Sequence, residues 1–133
     1  MTASPMTANP EPLHGRQILV VEDEYFLADD ISRHLRARGV AVLGPAATLE
    51  EAARLLDAHS PDCAVLDVNL RGEMAYPLVD RLEAAGIPFL IATGYDAKAL
   101  PSRFRAVPCL EKPVDAAQLA ARLPELIALR QTA

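Results

Sequence analysis

The sequence predicts an α/β domain in which a parallel sheet is covered by helices on both faces. Five short apolar runs alternate with longer stretches in which apolar residues recur at helical spacing. Such runs are typical of parallel strands that are buried on both faces. Several runs end directly at a carboxylate, hydroxyl or ammonium side chain, and open parallel sheets bind their ligands just beyond the carboxyl ends of their strands.

The first two strand–helix units are bounded by glycine, proline and a helix cap. The predicted elements are a strand at 17–22, a helix at about 24–38, a strand at 40–43 and a helix that begins after Thr48. Gly39 ends the first helix because glycine readily adopts the conformation found at helix ends. Gly44-Pro45 ends the second strand. Thr48 and Glu51 have the spacing of a capping box, which predicts where the second helix begins.

The middle of the chain repeats this pattern and then departs from it. The predicted elements are a strand at 63–67, a helix at about 75–85 and a strand at 88–92. After the last of these, Ala97, Leu100 and Phe104 have helical spacing, but Pro101 lies among them. Because proline is tolerated only in the first turn of a helix, we predict a fourth helix that is short, late-starting or mobile.

The last unit is a strand at 107–110 followed by a helix that Asp115 caps. Five strand–helix units with right-handed crossovers predict a doubly wound, flavodoxin-like (βα)5 sheet with strand order 2-1-3-4-5. In that order the first and third strands are neighbours. Glu22 and Asp23 are therefore expected beside Asp67.

Length, charge and composition limit the alternatives. The chain has 133 residues and a net charge of −5, which fits one domain and argues against nucleic acid as a partner. Residues 1–15 hold three prolines and almost no large apolar side chain, so we predict a disordered N-terminal tail before a domain at 16–133. Without a membrane span or a signal peptide, we expect a cytoplasmic protein whose Cys63 and Cys109 are reduced.

The polar residues at the strand ends suit a divalent cation. Three carboxylates, those of Glu22, Asp23 and Asp67, would repel one another unless a cation lay among them. Mg²⁺ prefers oxygen ligands and usually takes one or two carboxylates from a protein. We predict Asp23 and Asp67 as direct ligands, Glu22 as the holder of a metal-bound water, and the backbone carbonyl of Asn69 as a further ligand.

The same residues suit phosphoryl transfer. An aspartate carboxylate such as that of Asp67 can attack phosphorus to give an acyl phosphate. The reaction needs little beyond positioning and neutralisation of charge on the phosphoryl oxygens. We predict that these oxygens are bound by Mg²⁺, by the Lys112 ammonium and by the Thr93 hydroxyl.

Each fragment alone has a simpler structural explanation. The acidic run Glu22–Glu24 would favour the dipole of the following helix without any metal. Asp67 could begin a turn, Thr93 could cap a helix, and Lys112 could be solvated. Their combination at one edge of the sheet, in this order, favours a functional site.

These fragments resemble the receiver domain of bacterial two-component response regulators. The motifs that carry the resemblance are Val20-Val21-Glu22-Asp23-Glu24, Leu66-Asp67-Val68-Asn69-Leu70, Ala92-Thr93-Gly94 and Glu111-Lys112-Pro113. The similarity extends from about Gln17 to Leu129. Within the family, the stretch from Phe89 to Tyr95 resembles the stand-alone subgroup named FAT GUY, with Ile91 in place of that subgroup's phenylalanine.

The resemblance implies a signalling phosphoacceptor that catalyses only its own phosphorylation and dephosphorylation. A sensor histidine kinase, with the HWE type as a candidate, would pass its phosphoryl group to Asp67. Thr93 would then move, and the contacts made by the fourth helix, fifth strand and fifth helix would change. The resemblance also implies a cis peptide bond between Lys112 and Pro113.

The resemblance further implies the partners. These would be the kinase and either a downstream signalling protein or a histidine phosphotransfer protein. The chain itself would be a monomer or a weak, phosphorylation-dependent dimer.

Two positions bear on the switch that the resemblance implies. Receivers usually carry Tyr or Phe three residues before the lysine, where this chain has Cys109. Tyr95, two residues after Thr93, is our candidate for the mobile aromatic residue instead.

Three other functions remain open at this point. A pseudo-receiver would bind partners without phosphorylation, and Cys109 leaves room for that function. An aspartyl-phosphate phosphohydrolase of the haloacid-dehalogenase pattern would need a second aspartate where this chain has Asn69. Flavin binding is disfavoured because the acidic run Glu22–Glu24 would repel a phosphate.

Overall fold

The structure, a computed structural model, describes residues 11–94, 100–104 and 106–132. Its strands are β1 (Gln17–Val21), β2 (Ala41–Ala46), β3 (Cys63–Leu66), β4 (Asn69–Leu70), β5 (Glu73–Met74), β6 (Phe89–Thr93) and β7 (Cys109–Glu111). Five of them form one parallel sheet in the order β2-β1-β3-β6-β7, and β4 and β5 form a separate antiparallel hairpin. The predicted order 2-1-3-4-5 is confirmed, whereas the hairpin was not predicted.

Four α-helices flank the sheet within the described ranges. They are α1 (Tyr25–Ala37), α2 (Leu49–Ala58), α3 (Tyr76–Ala84) and α4 (Ala116–Thr132). Both predicted caps are present: the Glu51 amide donates to Thr48 Oγ1 at 3.1 Å, and the Ala117 amide donates to Asp115 Oδ1 at 2.9 Å. No helix among the residues that the structure describes is long and apolar enough to cross a membrane.

The core consists of two apolar layers, one on each face of the sheet. Successive side chains of a strand point to opposite faces, so Leu19 and Val21 enter one layer while Ile18 and Val20 enter the other. All four are completely buried. This double burial explains why β1 is a continuous apolar run and does not alternate with polar residues.

The second strand is longer than predicted. It continues through Gly44 and Pro45, which a cis peptide bond joins, to Ala46. Gly44 has φ of +97°, and a Cβ at this position would lie 2.8 Å from the Val20 carbonyl oxygen. Only glycine fits so close to β1 in this conformation. The Glu22 amide then donates to the Ala46 carbonyl at 2.9 Å, which ties the end of β1 to β2.

The predicted boundary between tail and domain at residue 15 is too late. Leu13 is fully buried among residues of the layer formed with α1 and α4. Glu11 pairs with Arg38 at 2.8 Å, and the Gly15 amide donates to the Gly39 carbonyl at 2.9 Å. The domain therefore includes residues 11–15, and the predicted tail is still a prediction for residues 1–10.

The region of the predicted fourth helix contains a single 3₁₀ turn, Ser102–Phe104, within its described part. Phe104 is buried and stacks on Tyr76 of α3, with ring centroids 5.6 Å apart. Arg103 holds the same turn to α3 through Asp80 and Glu83, each at 2.7 Å. The described part agrees with the expectation of a short helical segment near Pro101.

Candidate functional site

The parallel strands bring the predicted polar residues to one end of the sheet, here called the carboxyl edge. Glu22 follows β1, Asp67 follows β3, Thr93 ends β6, and Lys112 follows β7. The backbone fixes this arrangement, since the Asp67 amide donates to the Val21 carbonyl at 3.0 Å and the Lys112 amide to the Thr93 carbonyl at 2.8 Å. Residues far apart in sequence therefore share one site because the strands end in register.

Lys112 lies among three carboxylates. Its ammonium is 2.8 Å from Asp67 Oδ2 and 3.1 Å from Glu22 Oε2, and it also donates to Glu24 Oε2. Burial of the ammonium opposes its charge, but the hydrogen bonds to Asp67, Glu24 and Glu22 outweigh this and raise the pKa of Lys112. Lys112 is therefore protonated and acts as the internal cation of the site.

Asp67 is oriented by two hydrogen bonds and is only 5% exposed. Its Oδ1 accepts from the Asn69 amide at 3.0 Å, and its Oδ2 accepts from Lys112. The carboxylate borders a cavity of about 460 Å³ whose lining also includes Thr93 and Lys112. A carboxylate fixed in this way beside a polar cavity can be reached by a small group that enters from solvent.

Glu22 is the most buried of the acidic residues that the structure describes, with 3% exposure. Its Oε2 accepts from the Glu24 amide at 3.0 Å. Burial raises the pKa of Glu22 to about 7, against the lowering effect of the Glu24 amide and of Lys112. A cation at the carboxyl edge would favour the charged form of this carboxyl group.

The donor set fits a hard divalent cation. Carboxylate oxygens of Glu22, Glu24 and Asp67 all lie within 4.8 Å of one another. Oxygen ligands of this kind suit Mg²⁺. The sequence pattern predicted no ligand role for Glu24. It predicted Asp23 as a ligand, which lines the same cavity and whose Oδ2 lies 3.7 Å from Arg71 Nε. The assignment of Asp23, Asp67, Glu22 and the Asn69 carbonyl as the metal site is still a prediction.

Arg71 is a second residue that sequence reasoning missed. It occupies the two-residue turn between β4 and β5, where Arg71 has φ of 54° and Gly72 has φ of 91°. Positive φ at both central residues is typical of the tight turns that join antiparallel strands. The Asn69 side chain fastens this turn, because its Oδ1 accepts from the Gly72 amide at 2.7 Å. The glycine was the only available signal, since arginine rarely adopts this conformation.

The remaining predicted residues have mixed outcomes. Thr93 is buried and borders the cavity, and the Lys112–Pro113 peptide bond is cis, as expected. Cys109 is half-buried, and burial raises the pKa of its thiol; it packs on the apolar layer that contains Ile91. Its role in a switch is still a prediction, and Tyr95 lies outside the described residues.

Comparison with protein families identifies one that covers most of the chain. The sequence model described as "Response regulator receiver domain" matches residues 18–124. That range runs from β1 into α4 and includes every predicted site residue. The match does not separate the FAT GUY subgroup from other receivers, so the subgroup is still a prediction.

Curated relatives support the same family. The transcriptional regulatory protein PdtaR of Mycobacterium tuberculosis is 30% identical over 123 residues, which cover 85% of this chain and 57% of PdtaR. The transcriptional regulatory protein YvrH of Bacillus subtilis is 33% identical over 115 residues, covering 84% of this chain and 48% of YvrH. The chain thus spans about half the length of these relatives.

A solved structure matches the chain over nearly its own full length. The solution structure of SdrG from Sphingomonas melonis is 37% identical with a TM-score of 0.74, and the match covers 87% of this chain and 98% of SdrG. This similarity extends the family match from sequence to three-dimensional structure.

Proposed function

This chain belongs to the response regulator receiver domain family, and on that basis we propose that Asp67 accepts a phosphoryl group from the phosphohistidine of a sensor histidine kinase. The observation that carries the proposal is the placement of Asp67. Its carboxylate borders the polar cavity, is 5% exposed, and lies 2.8 Å from the Lys112 ammonium. An oriented carboxylate beside a fixed cation is what an acyl-phosphate acceptor requires.

The proposed transfer is a displacement at phosphorus. An Oδ atom of Asp67 forms a bond to phosphorus while the bond between phosphorus and the imidazole nitrogen of the phosphohistidine breaks. The electron pair of that bond remains on the nitrogen, which takes up a proton from water. Lys112 neutralises charge on one phosphoryl oxygen, and the Thr93 hydroxyl donates to another. Lys112 is already within 2.8 Å of Asp67, so it needs little movement.

The acidic residues would hold Mg²⁺ in this proposal. Asp23 and Asp67 would be direct ligands with the Asn69 carbonyl, and Glu22 would hold a bound water. When bound, Mg²⁺ supplies positive charge to the phosphoryl oxygens. The support is that carboxylate oxygens of Glu22, Glu24 and Asp67 lie within 4.8 Å of one another beside Lys112, and that Asp23 lines the same cavity.

The proposed output is a change of protein contacts or relay of the phosphoryl group. Thr93 would respond to the phosphorylated Asp67, with Tyr95 and Cys109 as candidate switch residues. A stand-alone role is proposed from the resemblance of the stretch from Phe89 to Tyr95 to the FAT GUY subgroup. The partners would be a sensor histidine kinase, with the HWE type as a candidate, and a downstream signalling or histidine phosphotransfer protein.

An exposed aromatic pair supports docking of a protein next to Asp67. Tyr25 and Phe26, at the start of α1, are 74% and 84% exposed and pack edge to face with centroids 5.4 Å apart. They line a groove of about 720 Å³ together with Lys112 and Pro113. Exposed aromatic residues are enriched in protein interfaces, so we propose this groove as the place where the kinase binds.

The test is phosphorylation by acetyl phosphate, followed by intact mass spectrometry. We expect a gain of one phosphoryl group, about 80 Da, that requires Mg²⁺ and is absent in Asp67→Asn. The matched control is Asp62→Asn, which changes the aspartate at the opposite end of the same strand and should still gain the group. An adduct that persists in Asp67→Asn, or no adduct on the wild-type chain, would contradict the proposal and favour a phosphorylation-independent binding protein.

A further inference from the structure

Arg71 lies in the turn of the β4–β5 hairpin, which lines the cavity that Asp67 borders. Its side chain is 71% exposed, and its Nε lies 3.7 Å from Asp23 Oδ2. Asp23 is far less accessible, with 14% side-chain exposure. Arg71 and Asp23 both border the cavity that contains Asp67, and both also border a second cavity of about 280 Å³ beside α1. The ion pair therefore forms part of the wall between the two cavities.

Within the described part of the site, two cations divide the carboxylates between them. Lys112 contacts Glu22, Glu24 and Asp67. Arg71 contacts Asp23. The two carboxylates predicted as direct metal ligands, Asp23 and Asp67, are thus both paired with a basic side chain of the protein itself. Arg71 Nε lies 3.7 Å from one oxygen of Asp23, Oδ2, so this ion pair competes with a metal ion for that carboxylate.

We propose that Arg71 is a positioning residue that acts as an exchangeable counter-ion of Asp23. This inference rests on the proposed phosphoacceptor role of Asp67. While Arg71 holds Asp23, it competes with Mg²⁺ for that carboxylate and weakens metal binding. Once Asp23 is engaged by the metal, Arg71 is released and adds a positive charge at the mouth of the cavity, where an anionic phosphodonor must enter.

Loss of the Arg71 charge should change the affinity for Mg²⁺ and the rate of phosphorylation in opposite directions. Loss of the Arg71 charge should tighten Mg²⁺ binding, because Asp23 no longer has a competing partner. It should also slow phosphorylation by a small anionic donor, because positive charge in a cleft raises the association rate of anions. A residue that merely stabilised the hairpin would weaken both properties together or neither.

The principal variant is Arg71→Gln. It keeps a long polar side chain, and glutamine must adopt the same positive φ as arginine at this position. Arg71→Lys keeps the charge. The matched control is Arg54→Gln, which changes the net charge by the same amount as Arg71→Gln. Arg54 lies on α2, its side chain is 72% exposed, and it forms an ion pair with Glu50 at 3.4 Å.

Isothermal titration calorimetry of the full chain with Mg²⁺ measures the Kd for the metal. We expect a Kd that is lower by about two- to five-fold in Arg71→Gln, the range that exposed ion pairs produce. Arg71→Lys and Arg54→Gln should stay close to the wild-type value. An equal Kd in Arg71→Gln and Arg54→Gln would overturn the counter-ion role.

The rate of phosphorylation by acetyl phosphate at saturating Mg²⁺ gives the second result. We expect Arg71→Gln to be slower by about three-fold or more at low ionic strength, with the difference disappearing at about 1 M salt. An unchanged rate in Arg71→Gln would overturn the proposed attraction of the anionic phosphodonor by Arg71. If the wild-type chain binds Mg²⁺ but takes no phosphoryl group, the proposed function fails while the Kd comparison still decides the role of Arg71 toward Asp23.

Discussion

The two ends of the same parallel sheet carry similar charged residues but balance them differently. At the end where the strands begin, here called the amino edge, Asp62 pairs with Arg16 at 3.7 Å and Glu11 pairs with Arg38 at 2.8 Å. Asp62 Oδ2 also accepts from the Gln17 amide at 2.9 Å. In these contacts two carboxylates face two cations.

At the carboxyl edge, four carboxylates face two cations among the described residues. Lys112 contacts Glu22, Glu24 and Asp67, and Arg71 contacts Asp23. Two of the four carboxylates, those of Glu22 and Asp67, are buried. Burial raises the pKa of Glu22 to about 7, and the negative charge of Asp67 adds a smaller effect in the same direction. The comparison indicates that the amino edge serves stability, whereas the carboxyl edge retains an unbalanced charge that suits a cation and a phosphoryl group.

The largest effect is expected at the amino edge. Leu13→Ala should lower the free energy of unfolding by about 2–5 kcal/mol, because it removes a completely buried side chain and leaves a cavity. Urea unfolding measures this loss, and acetyl phosphate labelling at low temperature should be unchanged. The control is Leu129→Ala, which alters a side chain that is 64% exposed and should cost about 0.5 kcal/mol or less. Equal losses in the two variants would refute the burial of Leu13 in the core.

The next effect concerns the carboxyl edge and its metal. Mg²⁺ at about 100 times its Kd should stabilise the chain by about 2.7 kcal/mol, because it binds the folded state. Unfolding monitored with and without Mg²⁺ measures the gain. Asp67→Asn should reduce it, whereas Asp62→Asn at the amino edge should leave it unchanged. If Mg²⁺ stabilised Asp67→Asn as much as the wild type, the metal would bind elsewhere.

A smaller effect is expected from Asp62→Ala. The substitution removes the acceptor of the Gln17 amide and the partner of Arg16, and should cost about 1–2 kcal/mol. Urea unfolding again gives the value, and phosphorylation of Asp67 should proceed as in the wild type. Impaired phosphorylation with intact stability would show that the division of roles between the two edges is wrong.

Taken per pH unit, the smallest effect is a pH dependence of stability in Mg²⁺-free buffer. The pKa of Glu22 is raised from 4.5 to about 7 on folding, so between these pH values the folded chain holds a proton that the unfolded chain releases. The stability from this group is present below pH 4.5 and is lost as the pH rises through 7. The slope approaches at most about 1.4 kcal/mol per pH unit.

Glu22→Gln isolates this contribution, because it removes the titrating group but keeps the shape of the side chain. Free energies of unfolding at pH 5, 6, 7 and 8 should fall less steeply in the variant than in the wild type. If the free energy of unfolding fell equally steeply with pH in both proteins, the titration of Glu22 would not contribute to the pH dependence of stability.

The sheet and most of the site follow from local sequence. Continuous apolar runs indicate doubly buried strands, and parallel strands necessarily end together. Glu22, Asp67, Thr93 and Lys112 could therefore be assigned to one edge without a structure, since each directly follows or ends its strand. The cap at Thr48 was equally local, because it depends on a residue only three positions away.

Tertiary structure alone decided the contacts between residues that no short pattern connects. Glu24 joins the site through Lys112, which is 88 positions away, and Arg71 reaches Asp23 because the turn at Arg71-Gly72 projects the hairpin across the cavity. Leu13 is a single apolar residue in a polar stretch, and its burial depends on the surface that α1 and α4 together create. The sequence by itself determined that Glu22, Asp67, Thr93 and Lys112 lie at the carboxyl ends of their strands. The packing of distant segments determined how their charges are paired, because an ion pair forms only where the folded chain brings its two partners within reach.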